Sequence, residues 1–347
     1  MSQEVRQQGA PISARVGAPL QLPVPPSTHG ILWERLTADH SAALSNLFAR
    51  IEATDNPPYR TSRDEVVEML GPTGQWRGLA GYATRGIAKG QMVAYGLVGV
   101  RIAGHVECVC QGGVDPRFRR LGLGRSMIEW QTATARQMLA TNPGQGSAQI
   151  VMHVETGHEE LEDHLESLGY HWARTYYELR ADLEVLPAPP DLGSYLSVVP
   201  WSEDLEDLAR RASNRLSEQE WGRPPQSMEQ WLMGRTGFVP EWSFVVMDRT
   251  GDRPQVAGFL LASRYEQDWA ALGWREGYID QMGVLQPWRH TRVADALIVA
   301  SMTAQRRDGM DRAAAGLGSA NHSGALVVYD SLGFRTVGQS RLYAINV

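Results

Sequence analysis

The sequence predicts an α/β fold, a mixed sheet with helices on both faces, built as two similar units in tandem. Three observations carry this. A length of 347 residues suits two domains better than one. Strand-like and helix-like stretches alternate in the same order in each half, the pattern of layered α/β architectures. Finally, the halves repeat each other: Gln111-Gly112-Gly113-Val114 answers Gln281-Met282-Gly283-Val284, Arg119 answers Arg289, and Gly122 and Gly124 answer Arg292 and Ala294. A helical run follows each, and the copies close on Leu168-Gly169-Tyr170 and Leu332-Gly333-Phe334.

Taken in order, residues 1–28 are polar and proline-bearing and read as a tail. A first domain over 29–185 begins with a strand at 31–36. Ala43, Leu44, Leu47, Phe48 and Ile51 then recur at helical spacing. Strands follow at 77–84, 92–102 and 105–114, then a helix, a strand, a helix and a strand-like run at 174–183. Pro187, Pro189 and Pro190 stiffen a linker at 186–192. The second domain, 193–347, repeats the order with strands at 195–199, 243–248, 256–264 and 277–284. Its tryptophans, Trp221, Trp231, Trp242, Trp269 and Trp274, read as packing residues. Duplicated units commonly rebuild within one chain the interface of a dimer, so a monomer with internal pseudo-two-fold symmetry, or a weak homodimer, is expected.

Composition narrows the function classes. Hydrophobic residues at 43% and charged residues at 21% describe a globular chain, not a disordered one. A formal net charge of -6 weighs against a nucleic-acid partner. No apolar run is long enough to span a membrane. The N-terminus has no apolar core of a signal peptide, and a reduced, cytoplasmic location is expected. The two cysteines, Cys108 and Cys110, fall on one strand face, where a bridge between them is strained. No second cysteine pair or histidine pair at ligand spacing accompanies them, so no metal is expected.

The sharpest chemical signal is Val114-Asp115-Pro116-Arg117-Phe118-Arg119-Arg120-Leu121-Gly122-Leu123-Gly124-Arg125-Ser126. A strand ends, a turn carries arginine and two glycines, and a helix begins. The first N–H groups of a helix lack internal partners and sit at the positive end of its dipole. Glycine lets an anion approach them without a Cβ in the way, and Arg119, Arg120 and Arg125 add charged donors. The spacing is neither a Walker loop nor the dinucleotide fingerprint.

These residues resemble the acetyl-CoA pyrophosphate loop of the GNAT N-acetyltransferases, an Arg-x-x-Gly-x-Gly pattern after a Val-x-Pro strand end. Asn321, Ala325, Tyr329, Leu332, Gly333 and Phe334 resemble the later Asn-x3-Ala-x3-Tyr-x2-Leu-Gly-Phe pattern of the same family. The duplication resembles actinobacterial two-domain members of the mycothiol-synthase type. The resemblance implies two GNAT-like units, acetyl-CoA as cofactor, and direct attack of an amine-bearing acceptor on the thioester. It also implies a cleft where two parallel strands splay apart, and a tyrosine that protonates the leaving thiolate.

Residue by residue, the resemblance assigns the cofactor to Gly113, Val114, Arg119, Arg120, Leu121, Gly122, Leu123, Gly124, Arg125 and Ser126. Second-copy candidates are Val284, Arg289, Ala294 and Asn321. The copies depart from the pattern in opposite ways. The first keeps both glycines but carries Leu165 and Gly157 where tyrosine and asparagine belong. The second keeps Asn321 and Tyr329 but carries Arg292 where the first glycine belongs. The first copy is therefore expected to bind CoA. Tyr329, Glu107 and Asp280 are the catalytic candidates, each also readable as a packing or solvated residue. His153, His158 and His164 read as surface or core histidines. The alternative function is a non-catalytic CoA or acyl-CoA binding protein, a sensor or scaffold with degenerate sites.

Overall fold

The structure, a computed structural model, describes residues 10–72, 75–102, 105–142, 144, 146–221, 224–319 and 322–347. It divides into two compact units, Met1–Ala173 with Arg341–Val347, and Arg174–Ser340. The division does not fall at the expected linker: the proline segment 186–192 lies inside the second unit, and the first unit is completed by the end of the chain. A strand pattern states which face of a residue run is apolar, not which sheet receives it.

The first unit contains α1 (Ile12–Arg15), β1 (Ile31–Arg35), α2 (Ser41–Asp55), α3 (Arg63–Met69), β2 (Trp76–Ala83), β3 (Met92–Ile102), β4 (Val106–Val114), α4 (Leu123–Ala140), β5 (Ala148–Glu155) and α5 (Glu159–Ser167). Its strands lie in the order β1-β2-β3-β4-β5, and the Val347 amide bonds the Ala148 carbonyl at 2.9 Å. Residues on α2 bury Leu44, Leu47 and Phe48 at helical spacing against Tyr95 and Leu97 of β3. Helix α2 ends at Asn56, which takes the left-handed conformation with φ 45. Helix α3 opens on a capping box in which Ser62 and Glu65 satisfy each other's backbone amides at 3.2 and 2.7 Å. On the opposite sheet face α4 buries Met127, Trp130 and Leu139.

Residues 10–28 are not the free tail expected from their composition. Ile12 and Val16 are fully buried against α4. The Ile12 amide bonds the Gly144 carbonyl at 2.8 Å, and Gln137 donates to the Pro19 carbonyl at 3.1 Å. One turn of helix suffices to put residues four apart on one face, too short a run for periodicity to reveal.

The second unit contains β6 (His171–Asp182) from residue 174 on, β7 (Leu196–Pro200), α6 (Glu206–Trp221), α7 (Met228–Leu232), β8 (Phe244–Asp248), β9 (Gln255–Ser263), α8 (Glu266–Leu272), β10 (Glu276–Val284), α9 (Val293–Arg307), β11 (Arg312–Gly318), α10 (His322–Ser331) and β12 (Arg335–Asn346) up to residue 340. Its strands run β7-β8-β9-β10-β11-β6. The run 174–183, expected to close the first domain, pairs antiparallel with β11 from Arg312↔Asp182 to Gly318↔Tyr176. Its Leu179, Ala181 and Leu183 join the core with Trp242, Leu260, Leu297 and Phe334.

Each unit has one place where two parallel strands part. In the first, β4 and β5 pair from Val106↔Ala148 to Cys110↔Met152; β4 then continues unpaired with β5 to Val114, and β5 to Glu155. In the second, β10 and β11 pair from Glu276↔Arg312 to Ile279↔Ala315 and then separate. A crevice at the carboxyl ends of parallel strands is where α/β sheets hold ligands.

Candidate active sites at the two strand splays

In the first unit the turn after β4 is fixed from below by a buried carboxylate. Asp115, fully buried, accepts Arg50 Nε at 2.7 Å, Arg117 Nη2 at 2.8 Å and the Arg117 amide at 3.0 Å. Burial alone raises this carboxyl, but the hydrogen bonds from Arg117 and Arg50 outweigh it and hold it well below the usual carboxylate range. The ion pairs therefore stabilise the turn above the ordinary carboxylate pKa, and that stability is lost as the pH falls below it. Asp115→Ala is expected to cost at least about 2 kcal/mol in urea denaturation; a cost below about half of that contradicts the assignment.

Above this anchor Arg120 and Gly122 both take positive φ, 62 and 77. Gly122 is the N-cap of α4 and supplies no side-chain cap. Among the described residues no acceptor takes the backbone N–H groups of Leu123, Gly124 or Arg125; the first to close is Ser126, on the Gly122 carbonyl at 3.1 Å. A Cβ at Gly122 or Gly124 would meet nothing within 4 Å, so the turn is open where a side chain would stand at either glycine. The arginines are engaged. Arg119 grips Asp55 through both terminal nitrogens at 2.6 and 2.7 Å and reaches the Val114 carbonyl at 3.2 Å. That hydrogen bonding lowers the Asp55 pKa. Arg120 pairs with Glu160 at 2.8 Å and Arg125 with Glu129 at 3.0 Å, both in solvent, where an incoming anion can displace the carboxylate.

The second unit's turn has a different surface. Leu285 stands at the Asp115 position, buried among Val245 and Phe259. His290 keeps the positive φ, 63, but Arg292 has φ -85 where Gly122 is left-handed. The Val293 amide is partly claimed by the Thr291 hydroxyl at 3.4 Å. Asp295 in the first turn of α9 holds Arg292 at 3.2 Å. An added carboxylate and a missing glycine both disfavour a phosphate there. Arg289 reaches the Val284 carbonyl at 3.4 Å, the same contact that Arg119 makes. Ala294 occupies the Gly124 position on α9. Asn321 lies outside the described residues.

The titratable groups distribute in the opposite sense. Asp280 is the extra residue of a β-bulge in β10, between Ile279↔Ala262 and Gln281↔Leu261. It is exposed at the splay, yet surrounding protein desolvates it enough to raise its carboxyl to about 6, against hydrogen bonds from Ser263 and Tyr265. The Tyr265 bond is 2.9 Å. Tyr329 on α10 is buried and packs edge-on against Phe334 with ring centroids 5.0 Å apart. Burial raises its phenol. The matching position in the first unit, Leu165, is fully buried and apolar. Glu107 is buried in the closed part of the β4–β5 pair, opposite Gln149, and paired with Arg101 at 2.5 Å and His105 at 3.0 Å. Those partners tie it into the strand and away from the splay.

The first unit's splay holds groups that sequence reading passed over. Glu155, the last residue of β5, is exposed, yet surrounding protein desolvates it enough to raise its carboxyl, while nearby His158 opposes that. Tyr59 follows α2; burial, then the charges of Glu155, Glu52 and Asp55, raise it to about 12. Tyr95 lies beneath Gly113, where a Cβ would meet its Cε1 at 3.0 Å and Ile51 Cδ1 at 2.8 Å. A Cβ at Gly113 would therefore make both side chains give way. The available signal for Glu155 was its place at the carboxyl end of a predicted parallel strand. Cys108 and Cys110 are free and buried, which raises the Cys108 thiol to about 12 and makes it a poor nucleophile.

Among the described residues no helix is long and apolar enough to cross a membrane, and no cluster of three metal-ligating side chains occurs. No family model and no curated protein matches the chain. Solved structures do. A GCN5-related N-acetyltransferase from Sphaerobacter thermophilus superposes with a TM-score of 0.67 at 21% identity, covering 93% of this chain and 97% of its own. A tandem GNAT protein from the clavulanic acid biosynthesis pathway superposes with a TM-score of 0.66 at 14% identity, covering 91% of this chain and 98% of its own. The GCN5-related glucosamine N-acetyltransferase region of a fungal multi-domain β-N-acetylglucosaminidase gives 0.63 at 12% identity, over 91% of this chain and 38% of its own. With the two strand splays, the two strand–turn–helix junctions and these superpositions together, the chain has the GNAT acetyltransferase fold in tandem.

Proposed function

We propose that the protein is an N-acetyltransferase that moves an acetyl group from acetyl-CoA to a primary amine by direct attack, with the first unit as the transfer centre. The observation that carries this is the turn at Gly122–Gly124 after β4, open at both glycines, with three helix-start amides that no acceptor takes among the described residues. Such a cradle fits a pyrophosphate. Bound there, acetyl-CoA supplies the activated acetyl group. The backbone of Leu121 to Ser126 holds the diphosphate, and Arg120 and Arg125 exchange their surface acids for it. Glu155, whose carboxyl desolvation raises above the ordinary glutamate range, takes the proton lost by the attacking nitrogen. Leu165 cannot protonate the leaving thiolate, so that proton comes from water. Juxtaposition of the two reactants provides much of the acceleration.

A second reading places transfer in the second unit, favoured by the bulged Asp280, whose carboxyl is raised to about 6, and by Tyr329, a phenol where the first unit has Leu165. Tyr329→Phe separates the two. With the first unit catalytic, turnover stays within about twofold, since ring volume and packing are kept; loss of a general acid lowers it by about 10²–10⁴. Thiol release from acetyl-CoA with a panel of primary amines tests the function itself. Release supports a transferase, and tight CoA binding with no release for any amine supports a binding protein instead.

A further inference from the structure

Within the second unit, α9, β7 and the proline segment enclose a cavity of about 340 Å³. It is lined by Pro189 and Pro190, by Val198 of β7 and Phe244 of β8, and by Ala300 and Ala304 of α9. Residues four apart share a helix face, so the two alanines leave α9 shallow there. The only lining side chains with polar atoms are Thr303 and Arg307. The Thr303 hydroxyl donates to the Val299 carbonyl at 2.7 Å. Arg307, 71% exposed, has only its chain neighbour Asp308, at 3.6 Å, among the described residues. Arg307 ends α9, so about 20 Å of helix separates it from the turn at Arg292.

The first unit carries larger side chains at the matching positions. The register that matches Gly122 to Arg292 also matches Met127 to Leu297, each packed over a sheet glycine, Gly96 or Gly258. In that register Ala300 answers Trp130, and Arg307 answers Gln137. Val198 answers Trp33, each being the third residue of its unit's edge strand. Trp130 is 6% exposed and shares one core cluster with Trp33. Trp33 Nε1 donates to the Pro26 carbonyl at 3.2 Å, and Gln137 to the Pro19 carbonyl at 3.1 Å. Two indoles thus stand in the first unit where the second has Val198 and Ala300, and the volume they would fill is left open. An apolar cavity with one polar group at its rim is the usual form of a small-molecule site. A flat apolar body matches the missing indoles, and a carboxylate matches the guanidinium. We propose that this cavity binds a small aromatic monocarboxylate, its ring against the alanines of α9 and its carboxylate on Arg307. The site is separate from both splays and does not depend on which unit transfers the acetyl group.

Calorimetric titration of the full chain with indole-3-propionate, its uncharged amide and tryptamine tests the site without turnover. The three probes share the ring and differ in the charge of the tail. The propionate is expected to bind one site per chain, at least about tenfold tighter than the amide, with tryptamine weakest. Arg307→Gln removes the charge at an exposed position and is expected to bring acid and amide to within about twofold of each other. Ala300→Trp supplies the side chain that the first unit carries and is expected to weaken the propionate by at least about tenfold, with CoA affinity unaltered. If Ala300→Trp does not fold, Arg307→Gln decides. Absence of saturable propionate binding, or equal binding of acid and amide, overturns the proposal. So does an undiminished acid preference in Arg307→Gln, or undiminished propionate affinity in a folded Ala300→Trp protein.

Discussion

Gly122→Asp is expected to weaken CoA binding by at least about tenfold, roughly 1.4 kcal/mol. The substitution places a carboxylate in open space at the first turn of α4, whose leading amides no acceptor takes among the described residues. It also asks a residue with a Cβ to hold φ 77, a conformation that aspartate tolerates better than most side chains. The fold should therefore survive, because nothing within 4 Å meets the new atom. Gly122→Ala isolates the conformational part and should cost about 1 kcal/mol or less of binding. Arg292→Asp, the matching change in the second unit, should leave CoA affinity unaltered. Isothermal titration of CoA onto the three variants checks all of this, and loss of binding in Arg292→Asp alone moves the cofactor to the second unit.

The second large effect is on turnover. Glu155→Gln is expected to lower kcat by about 10² or more, in the range of a lost general base, while CoA affinity stays near the unmodified value. The pH profile carries an independent signature. Desolvation raises the Glu155 carboxyl, so the basic form is available only above a pH higher than an ordinary glutamate would require. The acidic limb of kcat should lie correspondingly high and should vanish in the variant. Persistence of that limb in Glu155→Gln assigns it to another group, Asp280 with its value of about 6 being the next to test.

Much of the architecture was legible because it is written locally. The strand–turn–helix junctions at Arg119 and Arg289 and the Leu-Gly-aromatic endings repeat within the chain, and each marks a change of backbone direction that few residues can make. What was not legible depends on partners distant in sequence. Residues 174–182 read as a strand of the first domain, yet pair with β11, because the apolar alternation of Leu179 and Ala181 fits either sheet. Ile12 and Val16 looked like tail residues until α4 buried them. At the sites, the glycine turn was visible as a motif, whereas its rivals inside the turn were not: Thr291 on the Val293 amide and Asp295 on Arg292 are contacts, not patterns. Glu107 drew notice as a strand carboxylate, but Arg101 and His105 claim it. Glu155 gained its interest only from the parting of β4 and β5 after Cys110↔Met152.

Steady-state thiol release from acetyl-CoA, with one working amine and two variants compared side by side, tests the division of labour most directly. One variant is Gly122→Asp in the first unit; the other combines Asp280→Asn and Tyr329→Phe in the second. With transfer in the first unit, Gly122→Asp lowers kcat/KM for acetyl-CoA by at least about tenfold and the double variant stays within about twofold of the unmodified protein. The reverse pattern, normal kcat/KM in Gly122→Asp and a loss of about 10² or more in the double variant, contradicts it and assigns the chemistry to Asp280 and Tyr329.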